Sequence, residues 1–280
     1  CSLRLHVSAD CYSGYTSMSA PKAIVYITFN APPLHFDPRR IWVALRENKS
    51  KRLSAGTVDN IVANYGDLAV SLGIRHLLMR TAIQELNVAL KDLVALAGDP
   101  SKFRKPRGAD CHVASGPKIE SARNRVLLFT DSVLFEFRSY LDLLAEFVHG
   151  ILDGIGKAPA PAPTLPSGAK LSLRKGTKLR TNDFLLYLLE RLNLGSDPYK
   201  VLNLSRNSVT HYASPYCQLE VFETNPLRAE VVILLKRRSG ASAAKPDGTL
   251  RLSELQGVVN CVRELATHAQ AHLIGEIEAP

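Results

Sequence analysis

The alternation of apolar and polar positions predicts a chain that is mainly α-helical. The clearest helix lies between residues 120 and 152, where apolar residues recur at alternating steps of three and four: Leu134, Phe137, Leu141, Leu144, Val148 and Ile151. This spacing places them on one face of a helix, and that face must pack on other helices. The segment therefore predicts one helix of a bundle.

Further segments carry the same helical pattern, at 57–98, 181–195, 196–214 and 253–277. Gly73 is a position at which the first segment could divide, and Gly98 and Pro100 end it. Gly195 ends the second segment. Ser196 or Asp197 caps the third, with a proline in its first turn. Together with the helix above, these segments predict a bundle.

The strand signals are fewer. Residues 22–30 are β-branched and aromatic, which favours a strand, and residues 218–236 hold two apolar or alternating runs around a polar turn, which predicts a β-hairpin. Segment 39–52 fits either a strand or a short helix, and the basic segment 101–117 predicts a loop. Alternating Ala and Pro within 154–170 predict an extended linker over the surface.

We therefore expect two regions. Residues 58–280 should form the helical bundle, with the linker 154–170 inside it and the hairpin 218–236 inserted before its last helix. Residues 1–57 form an N-terminal segment that contains a strand and to which the sequence assigns no role.

Charge and cysteine content narrow the class of protein. The net charge is +9 among 280 residues and the isoelectric point is about 9.4, a surplus that suits a polyanionic partner such as RNA. Five cysteines, with no two at metal-ligand spacing, favour neither a disulfide framework nor a zinc site, and they fit the reduced cytoplasm.

No apolar run approaches the ~20 residues that span a bilayer, so we expect no membrane contact. The N-terminus has no signal-peptide pattern, but the chain does not begin with Met, which leaves processing or an upstream segment open.

The stretch SRNSVTHY, residues 205–212, brings Arg206, Asn207 and His211 close together in a predicted helix. Asn207 and His211 are four residues apart and share a face, and the long stem of Arg206 can bring its guanidinium alongside. An imidazole can transfer a proton near neutral pH, a guanidinium can hold phosphate oxygens, and the amide can orient either group. Since RNA supplies its own nucleophile, the 2′-OH, this set suits phosphodiester cleavage without a metal or other cofactor.

The other candidate sites are weaker. Arg263 and His268 repeat the Arg-x4-His spacing, but Glu264 stands where the first motif has Asn. His268 and His272 have the spacing of two metal ligands, but no third ligand is evident. No phosphate-binding loop, Gly-x-Ser-x-Gly elbow or His-Glu-x-x-His motif occurs. Cys217 has no base fixed beside it and is interpreted as structural. The charged residues of the long helix, Glu136, Arg138 and Asp142, lie off its apolar stripe and are interpreted as mainly solvated rather than catalytic, although one of them could reach the site in a bundle.

In this helical context the motif R-N-S-V-T-H resembles that of the HEPN superfamily, in which four to six residues, the first often a polar Asn, Asp or His, separate an Arg from a His. The resemblance implies a HEPN-like helical bundle, here with a small antiparallel β element. It also implies a metal-independent endoribonuclease of defence, toxin–antitoxin or stress systems, restrained in some cases by an antitoxin or sensor protein. Members generally form homodimers in which two motifs make one site.

The resemblance carries catalytic roles onto Arg206 and His211, with Asn207 as polar support. One HEPN subgroup has a modified Tyr two residues after the His, and here that position is Ala213. Three alternatives stay open on the sequence: a degenerate HEPN site, a chance pair on a solvated helix face, and a non-catalytic module that binds RNA or a protein.

Overall fold

A computed structural model gives the fold of the chain and describes residues 16–17, 24–26, 36–47, 53–98, 103–105, 111–159, 181–211, 216–222, 227–235 and 248–279. The described residues form helices and one β-sheet around a continuous hydrophobic core. The expectation of a mainly helical protein with a small sheet is confirmed.

The helices are α1 (Pro38–Glu47), α2 (Ala55–Ala97), α3 (Pro117–Gly154), α4 (Thr181–Arg191), α5 (Asp197–His211) and α6 (Leu252–Glu278). Gly73, the position at which this segment could divide, does not interrupt α2, which is continuous over 43 residues. Segment 39–52, which fitted a strand or a helix, lies mostly in α1. Among the described helices, none combines the length and apolar character needed to cross a membrane.

Helices α2 and α3 form a long antiparallel hairpin. Ile61 lies against Gly154, Arg75 binds Glu136 and Arg125 binds Asp92, so the contacts run in opposite directions along the two helices. A Cβ on Gly154 would lie 2.6 Å from Cγ1 of Ile61, which explains why glycine stands there. Close approach of the two helices therefore depends on this end of α3.

The sheet contains seven described strands: β1 (Thr16–Ser17), β2 (Ile24–Tyr26), β3 (Phe103–Lys105), β4 (Cys111–Ala114), β5 (Tyr216–Phe222), β6 (Leu227–Leu235) and β7 (Gly248–Arg251). Their order is β1-β3-β4-β5-β6-β2, and β7 also pairs with β6. All pairs are antiparallel except β2 with β6. The sheet is therefore mixed rather than purely antiparallel.

The predicted hairpin is present as β5 and β6, which pair from Tyr216 with Leu234 to Phe222 with Arg228. The hairpin is not the insertion that we expected. It forms the centre of a sheet whose other strands come from three other parts of the chain. The segment 101–117, predicted as a loop, contains β3 and β4. One sheet face, which includes Cys217, Leu219 and Val231, packs into the core with α3 and α6.

Residues from the N-terminal segment contribute to the same core. In α1, Ile41 and Leu45 are fully buried, and the Trp42 ring meets Phe147 of α3 edge to face at 5.4 Å. The backbone N–H of Asp37 donates to Gln270 Oε1 of α6 at 2.6 Å. Most of the predicted linker, from 160 to 170, lies outside the described residues.

Candidate functional site

The motif helix α5 carries Arg206, Asn207 and His211 on a continuous helical backbone. It packs against α3 and α6 through Tyr199, Leu202 and Ser205, which are all buried. Positions 206 and 211 are separated by roughly 140° around the helix axis, since successive residues of an α-helix turn by about 100°. The side chains of Asn207 and His211 lie outside the described part of the structure, so the geometry below concerns Arg206 and its surroundings.

Arg206 is directed towards α3 and is partly buried. Its Nε atom is shielded from solvent and has no hydrogen-bond partner among the described residues. Its charge acts on Asp131 and Asp142 of α3. A buried guanidinium N–H without a partner is unusual and marks a position where an acceptor could bind.

The two carboxyls beside Arg206 are themselves perturbed. Burial raises the pKa of Asp131, and the charge of Arg206 opposes that rise. Burial also raises the pKa of Asp142, against the opposing effects of Arg138 and Arg206. Asp131 and Asp142 are eleven residues apart, about three helical turns, so they share a face of α3. Perturbed carboxyls beside a partly buried cation are typical of functional sites.

Arg138, on the same face of α3, joins three helices at this place. Its Nη1 donates to Tyr199 Oη at 2.5 Å and to Asn203 Oδ1 at 2.7 Å, both on α5, and its Nη2 donates to Asn182 of α4. Its Nη2 also lies 2.7 Å from Asp142 Oδ1, and its guanidinium lies over the Tyr199 ring. The side chain is only 11% exposed. This network fixes the first two turns of α5 on α3.

The interpretation of Glu136, Arg138 and Asp142 as mainly solvated is therefore wrong for Arg138 and too simple for the other two. Arg138 is buried in the α3–α4–α5 junction, and Asp142 pairs with it while remaining 43% exposed. Glu136, 14% exposed, accepts two hydrogen bonds from Arg75 of α2 at 3.0 and 3.2 Å. These residues lie off the apolar stripe of the helix, so the sequence pattern placed them outside the core. The pattern did not show that neighbouring helices cover them.

Asp131 is a residue beside Arg206 that sequence reasoning missed. A signal existed, because Asp131, Arg138 and Asp142 recur at steps of seven and four, which is the spacing of one helix face. That spacing also fits a solvated helix face. Only the position of α5 beside α3 distinguishes the two interpretations.

The remaining candidate residues are not part of this site. Arg263 and His268 lie on α6, with His268 exposed. His272 faces Glu276 at 3.9 Å, and burial lowers its pKa. Cys217 is fully buried and burial raises the pKa of its thiol to about 12, which agrees with a structural role. Within the described residues, no group of three or more His, Cys, Asp and Glu could hold a metal ion.

Comparison with protein-family models, curated proteins and solved structures found no match in any of the three.

Proposed function

We propose that this protein is a metal-independent endoribonuclease of the HEPN type, with Arg206, Asn207 and His211 acting at a homodimer interface. The observation that carries the proposal is the environment of Arg206. Its Nε is shielded and has no partner among the described residues, and it stands beside two carboxyls with raised pKa values. Arg206 shares α5 with the imidazole that the reaction needs.

The reaction uses the nucleophile that RNA carries. The 2′-oxygen attacks the adjacent phosphorus, a base removes the 2′-hydroxyl proton, and an acid protonates the departing 5′-oxygen. The products are a 2′,3′-cyclic phosphate and a 5′-hydroxyl. His211 is the general acid or base in each protomer, and the partner's copy supplies the complementary imidazole across a two-fold axis.

Arg206 binds the scissile phosphate and stabilises the charge that develops on it. Asn207 positions the two charged groups. A phosphate at Arg206 would raise the pKa of Asp131 and Asp142 further, because like charges favour the protonated carboxyl.

The wider setting of this activity comes from the family resemblance. It suggests a cytoplasmic enzyme of defence or stress systems that an antitoxin or sensor protein restrains. The positive charge of the chain supports RNA as the substrate, since lysine and arginine side chains replace the counterions of phosphates.

The experiment that tests the proposal is incubation of labelled single-stranded RNA and total tRNA with purified protein in EDTA. Wild type should cleave, and His211→Ala should be slower by about 100-fold or more, because general acid–base catalysis contributes that much. Arg206→Ala should also lose cleavage. His268→Ala and Arg263→Ala are matched controls, since they remove the same residue types at the same spacing on α6, and both should cleave as wild type does.

Equal cleavage by wild type and His211→Ala would contradict the proposal. Retarded RNA in a gel without cleavage at any protein concentration would instead favour the alternative function, a non-catalytic module that binds RNA. The melting temperature of each variant shows whether a lost activity reflects a lost fold.

A further inference from the structure

The exposed ring of Phe135 lies on the face of α3 that carries the candidate site. It is 44% exposed, whereas Phe137 and Phe147 of the same helix are fully buried and belong to the core. Phe135 follows Asp131 by four residues and precedes Arg138 and Asp142 by three and seven, so all four share one helix face. Arg206 acts on the carboxyls on both sides of Phe135 along this face. The ring therefore lies on the face of α3 between the two carboxyls on which the charge of Arg206 acts.

An arginine of α2 contacts this ring. The guanidinium of Arg75 on α2 lies over Phe135, 5.8 Å from the ring centroid. Two hydrogen bonds to Glu136 fix that guanidinium. One face of the ring is thus covered by a fixed cation, and the exposed part of the ring is presented in a defined orientation. Such preorganisation reduces the entropy lost when a ligand binds.

The charges around the ring decide which ligand fits. The guanidinium groups of Arg75, Arg138 and Arg206 are accompanied by the carboxyls of Glu136, Asp142 and Asp131. The patch is therefore close to neutral, unlike a surface that binds phosphates by charge alone. An exposed aromatic ring in such a patch suits a planar, uncharged group whose attached phosphate reaches Arg206, the arginine whose Nε has no partner among the described residues.

We infer that Phe135 is a base-stacking platform, on which one unpaired nucleobase of single-stranded RNA stacks while its phosphate reaches Arg206. The inference rests on the proposed function for its ligand class and adds a subsite to it. Every base has a π-face, so the platform tolerates different sequences, and a paired base within a duplex cannot reach it. The subsite therefore selects unpaired RNA rather than a sequence.

The test measures RNA binding in the His211→Ala background, where cleavage does not remove the ligand. The probe is a fluorescently labelled single-stranded RNA in EDTA, and its anisotropy gives the dissociation constant. Adding Phe135→Ala should weaken binding roughly tenfold, because one base–aromatic stack is lost. Adding Phe135→Trp should preserve the affinity, and RNA should quench its indole fluorescence. Trp42, the single natural tryptophan, packs on Phe147 and gives the background emission.

Leu128→Ala is the matched control, since Leu128 is an exposed apolar residue of the same helix, at 61%, seven residues before Phe135. It should leave the dissociation constant unchanged. Salt separates stacking from charge: the loss on Phe135→Ala should be the same at low and high salt, whereas the loss on Arg206→Ala should shrink as salt rises.

Unchanged affinity of the Phe135→Ala variant, or an indole at position 135 that RNA does not quench, would overturn the inference. Failure of the His211→Ala parent to bind RNA would overturn it as well. The two proposals fail separately. If RNA binding depends on Phe135 but wild type does not cleave RNA, the nuclease proposal is refuted and the stacking platform stands. If wild type cleaves RNA but RNA binding does not depend on Phe135, the stacking platform is refuted and the nuclease proposal stands.

Discussion

At the scale of single residues, Arg138 shows how the site is held. It connects α3 to α4 and α5 through Asn182, Tyr199 and Asn203 while pairing with Asp142. Arg138→Ala would leave these polar groups without their donor and Asp142 without its counter-charge. We expect a loss of about 2–4 kcal/mol in the free energy of unfolding, because removing one member of a buried charged network leaves the others unsatisfied.

Denaturant unfolding measures this loss, and Arg125→Ala is its control. Arg125 also pairs with an aspartate, Asp92 at 2.6 Å, but both side chains are nearly half exposed. Its removal should cost less than about 1 kcal/mol. Equal effects of the two substitutions would show that the Arg138 network adds no more than a surface ion pair.

Asp131 makes stability depend on pH in a predictable direction. Burial raises its pKa above the ordinary value of 3.8. A carboxyl whose pKa is higher in the folded state stabilises the fold when protonated, and this contribution is lost as the pH rises through the raised pKa. The free energy of unfolding of Asp131→Asn, relative to wild type, should therefore improve between about pH 3 and pH 6. Parallel curves for the two proteins would contradict the raised pKa.

The candidate residues differ in how far sequence alone could find them. Arg206, Asn207 and His211 were proposed from sequence because their chemistry is concentrated in one short stretch. Asp131 and Phe135 were not, since each is an ordinary residue of a long helix until α5 and α2 are placed beside it. The roles proposed for these two residues depend on their tertiary neighbours, which the helical spacing of the sequence does not identify.

At the scale of elements, the glycines of the α2–α3 hairpin have opposite roles. Gly154→Ala would place a Cβ 2.6 Å from Ile61, so the helices must separate, and we expect a loss of about 1–3 kcal/mol in the free energy of unfolding. Gly73→Ala meets nothing within 4 Å on an exposed face of α2 and should stabilise by about 0.5–1 kcal/mol. Thermal or denaturant unfolding of both variants measures the difference. A loss of stability on Gly73→Ala would indicate that the face of α2 around Gly73 is covered.

The helices could be predicted from the sequence, and most of the sheet could not. Each long helix repeats its apolar spacing over many turns, so the signal accumulates. Strands β3 and β4 have three and four residues, and FRK and CHVA show no clear alternation. The pairing of β4 with β5 depends on residues about 100 positions away. Such pairing is decided by the tertiary fold rather than by local propensity.

At the scale of the whole molecule, the proposed mechanism requires two copies of the chain. One imidazole can serve the nucleophile while the partner's serves the leaving oxygen, so cleavage should be carried out by a homodimer. Sedimentation equilibrium should give twice the chain mass of 30.7 kDa for wild type and for His211→Ala. A monomer that cleaves RNA at every concentration tested would contradict the shared site.

The most direct test of the central claim is the identity of the nucleophile. Wild-type protein is incubated in EDTA with one labelled RNA and with the same sequence 2′-O-methylated throughout, and mass spectrometry identifies the product ends. Attack by the 2′-hydroxyl predicts that the unmodified RNA is cut to 2′,3′-cyclic phosphate and 5′-hydroxyl ends, and that the methylated RNA stays intact. Cleavage of the methylated strand, or products with 5′-phosphate ends, would contradict it, because an activated water rather than the 2′-hydroxyl would then be the attacking group.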